Sequence, residues 1–199
     1  MKLTNVRVNE FQSIRDSNEF EVGDITCLVG KNEAGKTAVL KALYRLNPIV
    51  KPHGVYDVTD DYPRLDVEDY KHDVETKKRD PATVVTATFK LEDTDLEDIY
   101  SDFGDECITK PEMVITKGYN HKADEYSFTI YTNIQKALEH LFSTANLDTD
   151  TNSKLAGCTT VDAAIEVLKD QEQTAEVARL SSLLSKVKAR GLDGYIHDN

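Results

Sequence analysis

Residues 30–37 read GKNEAGKT and directly follow the apolar run ITCLV, residues 25–29. The stretch matches G-x-x-x-x-G-K-[ST], the pattern of a loop between a strand and a helix whose backbone wraps around phosphate. Glycine gives such a loop the positive φ angles and the close backbone approach that it needs. Backbone N–H groups at the start of the following helix then point at the anion. The spacing predicts a strand, a loop and a helix over residues 25–46, with a phosphate-binding site at the loop.

Each residue type in this stretch has a chemical reason. Lys36 places a cation against the β- and γ-phosphates of a nucleotide, and Thr37 offers its hydroxyl to Mg²⁺. The order of apolar strand, loop and amphipathic helix favours this interpretation over a glycine-rich turn that only caps a helix. The residues predicted to bind nucleotide are Gly30, Lys31, Asn32, Glu33, Ala34, Gly35, Lys36, Thr37 and Ala38.

Composition excludes several classes of protein. The 199 residues carry a net charge of −12, which repels a phosphate backbone on average and argues against a nucleic-acid coat protein. No apolar run approaches the ~18 residues of a membrane span, and the N-terminus lacks the apolar core of a signal peptide. We therefore expect a cytoplasmic protein that does not associate with membranes. Cys27, Cys107 and Cys158 are far apart and odd in number, so neither a disulfide framework nor a zinc site is indicated.

The pattern along the chain predicts an α/β fold, a P-loop lobe with a mixed β-sheet and a C-terminal helical segment. Strands are predicted over residues 2–10, 19–22, 25–29 and 84–91, with a hairpin over 112–132. Helices are predicted over residues 36–46, 93–103, 133–143 and 160–190. The last pattern is one long helix or two abutting helices, with a weak point near Glu172 and an end at Gly191.

Three domain-level regions are predicted. Residues 1–145 form the P-loop lobe, in which the highly charged stretch at about 48–80 is a surface excursion, with or without a short helix. Residues 146–159 have the composition of a linker. Residues 160–199 are a helical segment that either begins an arm or packs as an ordinary helix on its own domain.

Other chemically active residue types form no comparable pattern. The five histidines are scattered, the serines of SSLLS lack a nucleophile context, and KKR at 77–79 is interpreted as a solvated turn rather than a nucleic-acid contact. The acids of LEDTDLED, residues 91–98, are interpreted as a helix cap and a solvated face rather than a metal site. No catalytic residue is identified in the sequence.

Residues 1–46 resemble the ATPase heads of the SMC/RecF/OLD group, AAA family P-loop proteins within the ABC-type ATPases. Members open with a strand, then a phrase like lxNFrSixd, then gxNeaGKSxlLxAL; the corresponding stretch here is VRVNEFQSIRDSNEFEVGDITCLVGKNEAGKTAVLKAL. The resemblance implies a head that binds ATP and Mg²⁺ and forms a homodimer around the nucleotide. It also implies work on DNA, in repair, chromosome maintenance or defence against phage.

Two departures from that group bear on activity. Gln12 stands where the group usually has an arginine that approaches the phosphates, and Arg15 lies three residues further on. The sequence also contains no apolar strand ending in Asp-Glu and no Ser-Gly-Gly signature loop. We therefore expect the N-terminal part of a longer ATPase, or a short version that lacks catalytic parts, and we expect this chain alone to be inactive.

Two other function classes stay open. One is a stand-alone P-loop enzyme, yet the Asn-Lys-x-Asp motif of a GTPase does not occur and the arginines do not cluster as in the lid of a nucleotide kinase. The other is a non-catalytic interaction module that retains the P-loop for structure.

Overall fold

The computed structural model describes residues 1–31, 34–172 and 174–198. They form two compact units. The first unit comprises Met1–Lys90 and Glu112–Thr129. The second comprises Leu91–Pro111 and the residues from Ile130 on.

Six strands of the described residues form one sheet, in the order β2-β1-β4-β5-β6, with β3 also pairing with β1. The strands are β1 (Lys2–Phe11), β2 (Ile14–Asp16), β3 (Phe20–Glu21), β4 (Thr83–Lys90), β5 (Ile108–Gly118) and β6 (Ser127–Thr132). The pairings of β1 with β2, β3 and β4, and of β4 with β5, are antiparallel. The predicted α/β fold is confirmed, and β5 and β6 are the neighbouring strands of the predicted hairpin.

The sequence of β1 explains its place in the middle of the sheet. Val6 and Val8 are fully buried while Arg7 between them is exposed, the alternation of a strand with one face on a core. In the register with β4, Val6 lies opposite Ala87 and Val8 opposite Val85. Small and β-branched side chains therefore fill the space between the sheet and the helix that packs on it.

Eight α-helices and two short 3₁₀ turns, at Lys51–Gly54 and Asp105–Cys107, are present among the described residues. The helices are α1 (Lys36–Tyr44), α2 (Val58–Asp61), α3 (Val67–Glu75), α4 (Asp93–Phe103), α5 (Ile134–Thr144), α6 (Thr149–Ala156), α7 (Val161–Lys169) and α8 (Ala175–Asp198).

Helix α1 follows the glycine loop, as predicted, and packs on the sheet through one face. Ala38, Val39 and Ala42 are buried in the core that also contains Val6 and Val8. Leu40, on another face of the same helix, is 61% exposed. One side of α1 therefore fixes the helix on the sheet, and an apolar side remains at the surface.

The predicted buried strand over residues 25–29 is wrong for this chain. The segment has no strand structure, and Ile25 and Val29 are 89% and 92% exposed. A strand gains its backbone hydrogen bonds only beside another strand, and no described residue pairs with this segment. Its apolar sequence alone was therefore not sufficient, and the parallel part of the predicted mixed sheet does not form.

The charged stretch 48–80 is far more ordered than the predicted surface excursion. It contains α2 and α3, and its tyrosines Tyr56, Tyr62 and Tyr70 are buried. Val67, Tyr70 and Val74 recur at helical spacing and pack in one cluster, while the charged residues between them face solvent. The sequence of α3 is therefore amphipathic, although the high charge of the stretch predicted a solvated segment.

The second unit is helical, largely as predicted. Helices α4 and α5 lie where the 93–103 and 133–143 patterns placed them. The 160–190 pattern forms two helices: α7 ends at Lys169 and α8 begins at Ala175, on either side of Glu172. Gly191 does not end α8, because one glycine inside a helix costs only about 1 kcal/mol relative to alanine.

Residues 146–159, for which composition predicted a linker, contain helix α6. Asp148 caps it by accepting hydrogen bonds from the backbone N–H groups of Asp150 and Thr151. Leu155 and Thr151 are fully buried. Short polar side chains here begin a packed helix, which composition cannot distinguish from a loop.

Candidate functional site

The turn into α1 depends on Gly35, whose φ angle is 86°. A residue with a Cβ is strained at this angle. A Cβ here would also lie 3.0 Å from Cγ1 of Ile14 and 3.5 Å from Oγ of Ser13, because β2 runs directly against the loop. Both constraints require glycine at this position. Asn32 and Glu33, two of the predicted nucleotide-binding residues, lie outside the described residues.

Lys36 is the first residue of α1, and its side chain folds back over the loop. The ammonium donates hydrogen bonds to the carbonyl oxygens of Gly30, at 2.8 Å, and Lys31, at 2.7 Å. These bonds use two of its three N–H groups, so the third can still donate to an anion. The lysine charge is thereby held at the loop rather than in the surrounding solvent.

The start of α1 presents backbone donors to the same region. The first helical hydrogen bond runs from Val39 N to Gly35 O at 3.0 Å. The N–H groups of Lys36, Thr37 and Ala38 precede it and have no partner within the helix. The first turn contains no acidic residue, so its partial positive charge is not offset there. Thr37 is exposed, whereas Ala38 has a buried side chain and can serve only through its backbone.

The loop opens on a cleft of about 760 Å³. Ala34, Gly35 and Lys36 are the predicted loop residues that line it. Its other walls come from β2 with its flanking residues, from β3, and from the apolar segment 26–29. The cleft therefore combines the glycine loop, a helix N-terminus and apolar surface, which are features that a nucleotide site uses.

A family model for the AAA ATPase domain matches residues 1–194, almost the whole chain. The chain belongs to the AAA ATPase domain family. This family consists of ATP-binding P-loop ATPases, so the match agrees with the predicted phosphate loop and implies nucleotide use, usually with Mg²⁺. No curated protein matches the chain. No described helix of the ATPase domain is both long and apolar enough to cross a membrane.

The ATPase domain makes a strained turn where β1 ends. Glu10 and Gln12 both have positive φ angles, 47° and 54°, which are unusual for residues with a side chain. Gln12 donates from its backbone N–H to the carbonyl of Asp61, and its side-chain amide lies 3.5 Å from the Asp61 carboxylate. The residue at this position therefore turns toward α2 and does not line the cleft.

Asp61 is the centre of a buried polar network that the sequence did not indicate. The residue is only 2% exposed and forms an ion pair with Arg45, the residue that caps the C-terminus of α1. Its carboxylate also accepts a hydrogen bond from the backbone N–H of Asp57 at 3.0 Å. Arg45 donates to the carbonyl of Val55 at 2.7 Å as well. The network joins the end of the P-loop helix to the 48–80 segment.

Glu10 anchors a second part of the same segment. Its carboxylate accepts a hydrogen bond from the Tyr62 hydroxyl at 2.8 Å and forms an ion pair with Arg79. Burial, together with the neighbouring Glu10 carboxylate, raises the pKa of Tyr62 to about 12. Tyr62 stacks on Tyr70 with ring centroids 4.0 Å apart. Arg79 of the predicted solvated turn 77–79 is thus a structural residue.

The remaining candidates do not assemble into a further site. No group of His, Cys, Asp and Glu side chains with metal-binding geometry occurs among the described residues. Glu92 and Asp95 form a reciprocal capping box at the start of α4, as the helix-cap interpretation of LEDTDLED predicted. The Nδ1 atom of His121 accepts from the backbone N–H of Gly118 at 3.1 Å, and its Nε2 lies 3.0 Å from Oγ of Ser127, so the ring bridges the turn between β5 and β6.

Proposed function

We propose that this chain is the ATP-binding N-terminal lobe of an ABC-type ATPase head, with ATP and Mg²⁺ held by residues 30–38. The observation that carries the proposal is the position of Lys36, which begins α1, lines the cleft and holds its ammonium over the glycine loop. The exposed Thr37 hydroxyl is the proposed Mg²⁺ ligand, and its accessibility at the first turn of α1 supports that role.

The test is calorimetric titration with Mg·ATP. We expect Lys36→Ala to weaken binding by at least roughly tenfold, since a charge-assisted hydrogen bond to phosphate is lost. Lys41→Ala is the matched control, because Lys41 is an exposed lysine on the same helix that does not line the cleft. Equal affinity of the wild type and Lys36→Ala would contradict the nucleotide site.

We also propose that a second segment completes the head on the exposed apolar surface of this lobe. Ile25, Val29 and Leu40 support this, because they present apolar surface beside the loop that no described residue covers. In the group that the sequence resembles, the second half of the head carries the glutamate that aligns water and the signature loop. Segment 25–29 would become a strand when that half pairs with it.

Without those groups, we expect the isolated chain to bind ATP and release phosphate at a negligible rate. Hydrolysis requires a water aligned with the leaving group as well as a phosphate cradle. The measurement is steady-state phosphate release, with Lys36→Ala as the control for contaminants. A turnover on the order of one per second that the mutation abolishes would place the catalytic acid within this chain.

The sequence resemblance supports two further proposals. The first is work on DNA, in repair, chromosome maintenance or phage defence. The second is homodimerisation through the heads. Fluorescence anisotropy with labelled duplex DNA tests the first, and sedimentation with Mg·ATP tests the second. For the isolated lobe we expect a monomer with weak, salt-sensitive DNA binding, because the net charge of −12 opposes phosphate contacts. Tight binding by this lobe alone would contradict that expectation.

A further inference from the structure

We propose that Arg15 is a second phosphate-binding cation of the cleft and that Asp66 competes with the nucleotide for it. The proposal rests on the ATP site proposed above and names a residue and a competing carboxylate within it. Four observations on the described residues carry it: the orientation of Gln12, the position of Arg15, the charge of the cleft, and the pairing of Arg15 with Asp66.

The first observation concerns Gln12, the residue that follows β1. Gln12 donates its backbone N–H to the carbonyl of Asp61, its side-chain amide lies 3.5 Å from the Asp61 carboxylate, and it does not line the cleft. It is also uncharged. The residue after β1 therefore contributes no cation to bound phosphate, and any cation on this side of the cleft comes from another residue.

The second observation is that β2 provides a cation, Arg15. Ile14 is buried against Gly35, and the alternation of the strand turns the next side chain outward. Arg15 accordingly has a side chain that is 70% exposed, and it lines the same cleft as Lys36. A guanidinium can donate two parallel hydrogen bonds to a phosphate, which a glutamine cannot do.

The third observation is the charge balance of the cleft. Its charged lining residues are Arg15, Asp16, Glu21 and Lys36. Asp16 is neutralised by a bidentate pair with Arg7, at 3.0 Å and 2.6 Å. Arg15 and Lys36 together therefore outweigh Glu21, so the cleft attracts an anion more strongly when both cations face it.

The fourth observation is the partner of Arg15. Its guanidinium lies 2.8 Å from the carboxylate of Asp66, which stands just before α3 and does not line the cleft. The pair is exposed on both sides, and exposed pairs contribute little to stability. A triphosphate carries more negative charge than one carboxylate, so Arg15 can exchange Asp66 for phosphate at small cost.

The experiment is calorimetric titration of the full chain with Mg·ATP, tripolyphosphate and adenosine. We expect Arg15→Ala to weaken Mg·ATP and tripolyphosphate by roughly fivefold to tenfold and to leave adenosine binding unchanged. Arg15→Lys keeps the charge and should recover part of the loss. Asp66→Asn should tighten Mg·ATP by about twofold to fivefold, because Arg15 is released. Arg64→Ala, an exposed arginine outside the cleft, should have no effect.

Each outcome decides the proposal. Opposite signs for Arg15→Ala and Asp66→Asn support it, and a larger Arg15→Ala effect at low salt than at high salt supports its electrostatic origin. Loss of affinity in Lys36→Ala but not in Arg15→Ala overturns it while leaving the proposed ATP site intact. Equal losses in Arg15→Ala and Arg64→Ala overturn it in favour of a general charge effect. Failure of the wild type to bind ATP overturns both proposals.

Discussion

Replacing Asp61 with alanine should destabilise the first unit strongly, because it breaks a buried ion pair from one side. Asp61 is 2% exposed and Arg45 has a side chain that is 24% exposed. Removing one partner of a buried pair costs about 3–5 kcal/mol, since the other charge is left without compensation. Arg45 keeps partial access to water, so we expect the low end of this range, about 3 kcal/mol.

The assay is urea denaturation followed by circular dichroism. For a small domain, whose free energy of unfolding falls by about 1–3 kcal/mol per molar urea, this loss lowers the midpoint by roughly 1–3 M. Asp60→Ala is the matched control, since Asp60 is an exposed neighbour on the same helix and its loss should change stability by less than about 0.5 kcal/mol. Asp61→Asn should cost less than Asp61→Ala, because the amide oxygen can still accept the N–H of Asp57.

A double-mutant cycle with Arg45→Met separates the ion pair from the other contacts of each residue. We expect a favourable coupling of at least about 1 kcal/mol between positions 45 and 61. A loss below about 1 kcal/mol in Asp61→Ala, or no coupling in the cycle, would refute the conclusion that this network holds the 48–80 segment to the end of α1.

Three further results are expected. Gly35→Ala should destabilise the fold by about 1–3 kcal/mol and weaken the binding of Mg·ATP, because the φ angle of Gly35 and the neighbouring strand both exclude a Cβ. Gly157→Ala is the control and should be near neutral, because Gly157 has an ordinary helical φ of −82°. Thermal melts of the two variants check this difference in stability. The environment of Tyr62 raises its pKa to about 12, so the neutral hydroxyl contributes stability that is complete below the unfolded pKa near 10 and is lost as the pH rises toward 12. The measurement is phenolate absorbance of the wild type and of Tyr62→Phe as the pH rises. If one tyrosine fewer titrates near 10 in the variant, this expectation is refuted. A thiol reagent should modify the exposed Cys27 rapidly, and it should modify the buried Cys107, whose pKa is raised by burial to about 11, only after unfolding. Mg·ATP should slow the reaction of Cys27, because this residue lines the cleft. Unchanged labelling of Cys27 in the presence of Mg·ATP would count against nucleotide binding in the cleft.

The sequence alone determined those features whose causes are local. The turn at Gly35 and the start of α1 follow from residues 35–38, because positive φ and helix initiation are set by nearby residues. Helices α4 and α5 were placed correctly by their own apolar spacing and capping residues. The break between α7 and α8 was likewise visible as a gap in the apolar stripe.

Only the tertiary structure decided whether residues 25–29 form a strand. Their apolar sequence satisfies one requirement of a central strand, yet strand structure also requires hydrogen-bonding neighbours on its edges. The described part of the chain supplies none, so the segment stays exposed. A periodic pattern cannot report on a partner that lies elsewhere in sequence or in another chain.

The buried network around Asp61 and the Arg15–Asp66 pair were also decided by tertiary structure. Both pairs join residues that are far apart in sequence, so no local spacing marks them. Charge normally indicates a solvated face, and the interpretation of 48–80 followed that rule. Asp61 departs from it because Arg45, Gln12 and the N–H of Asp57 together replace the water that a buried carboxylate would lose.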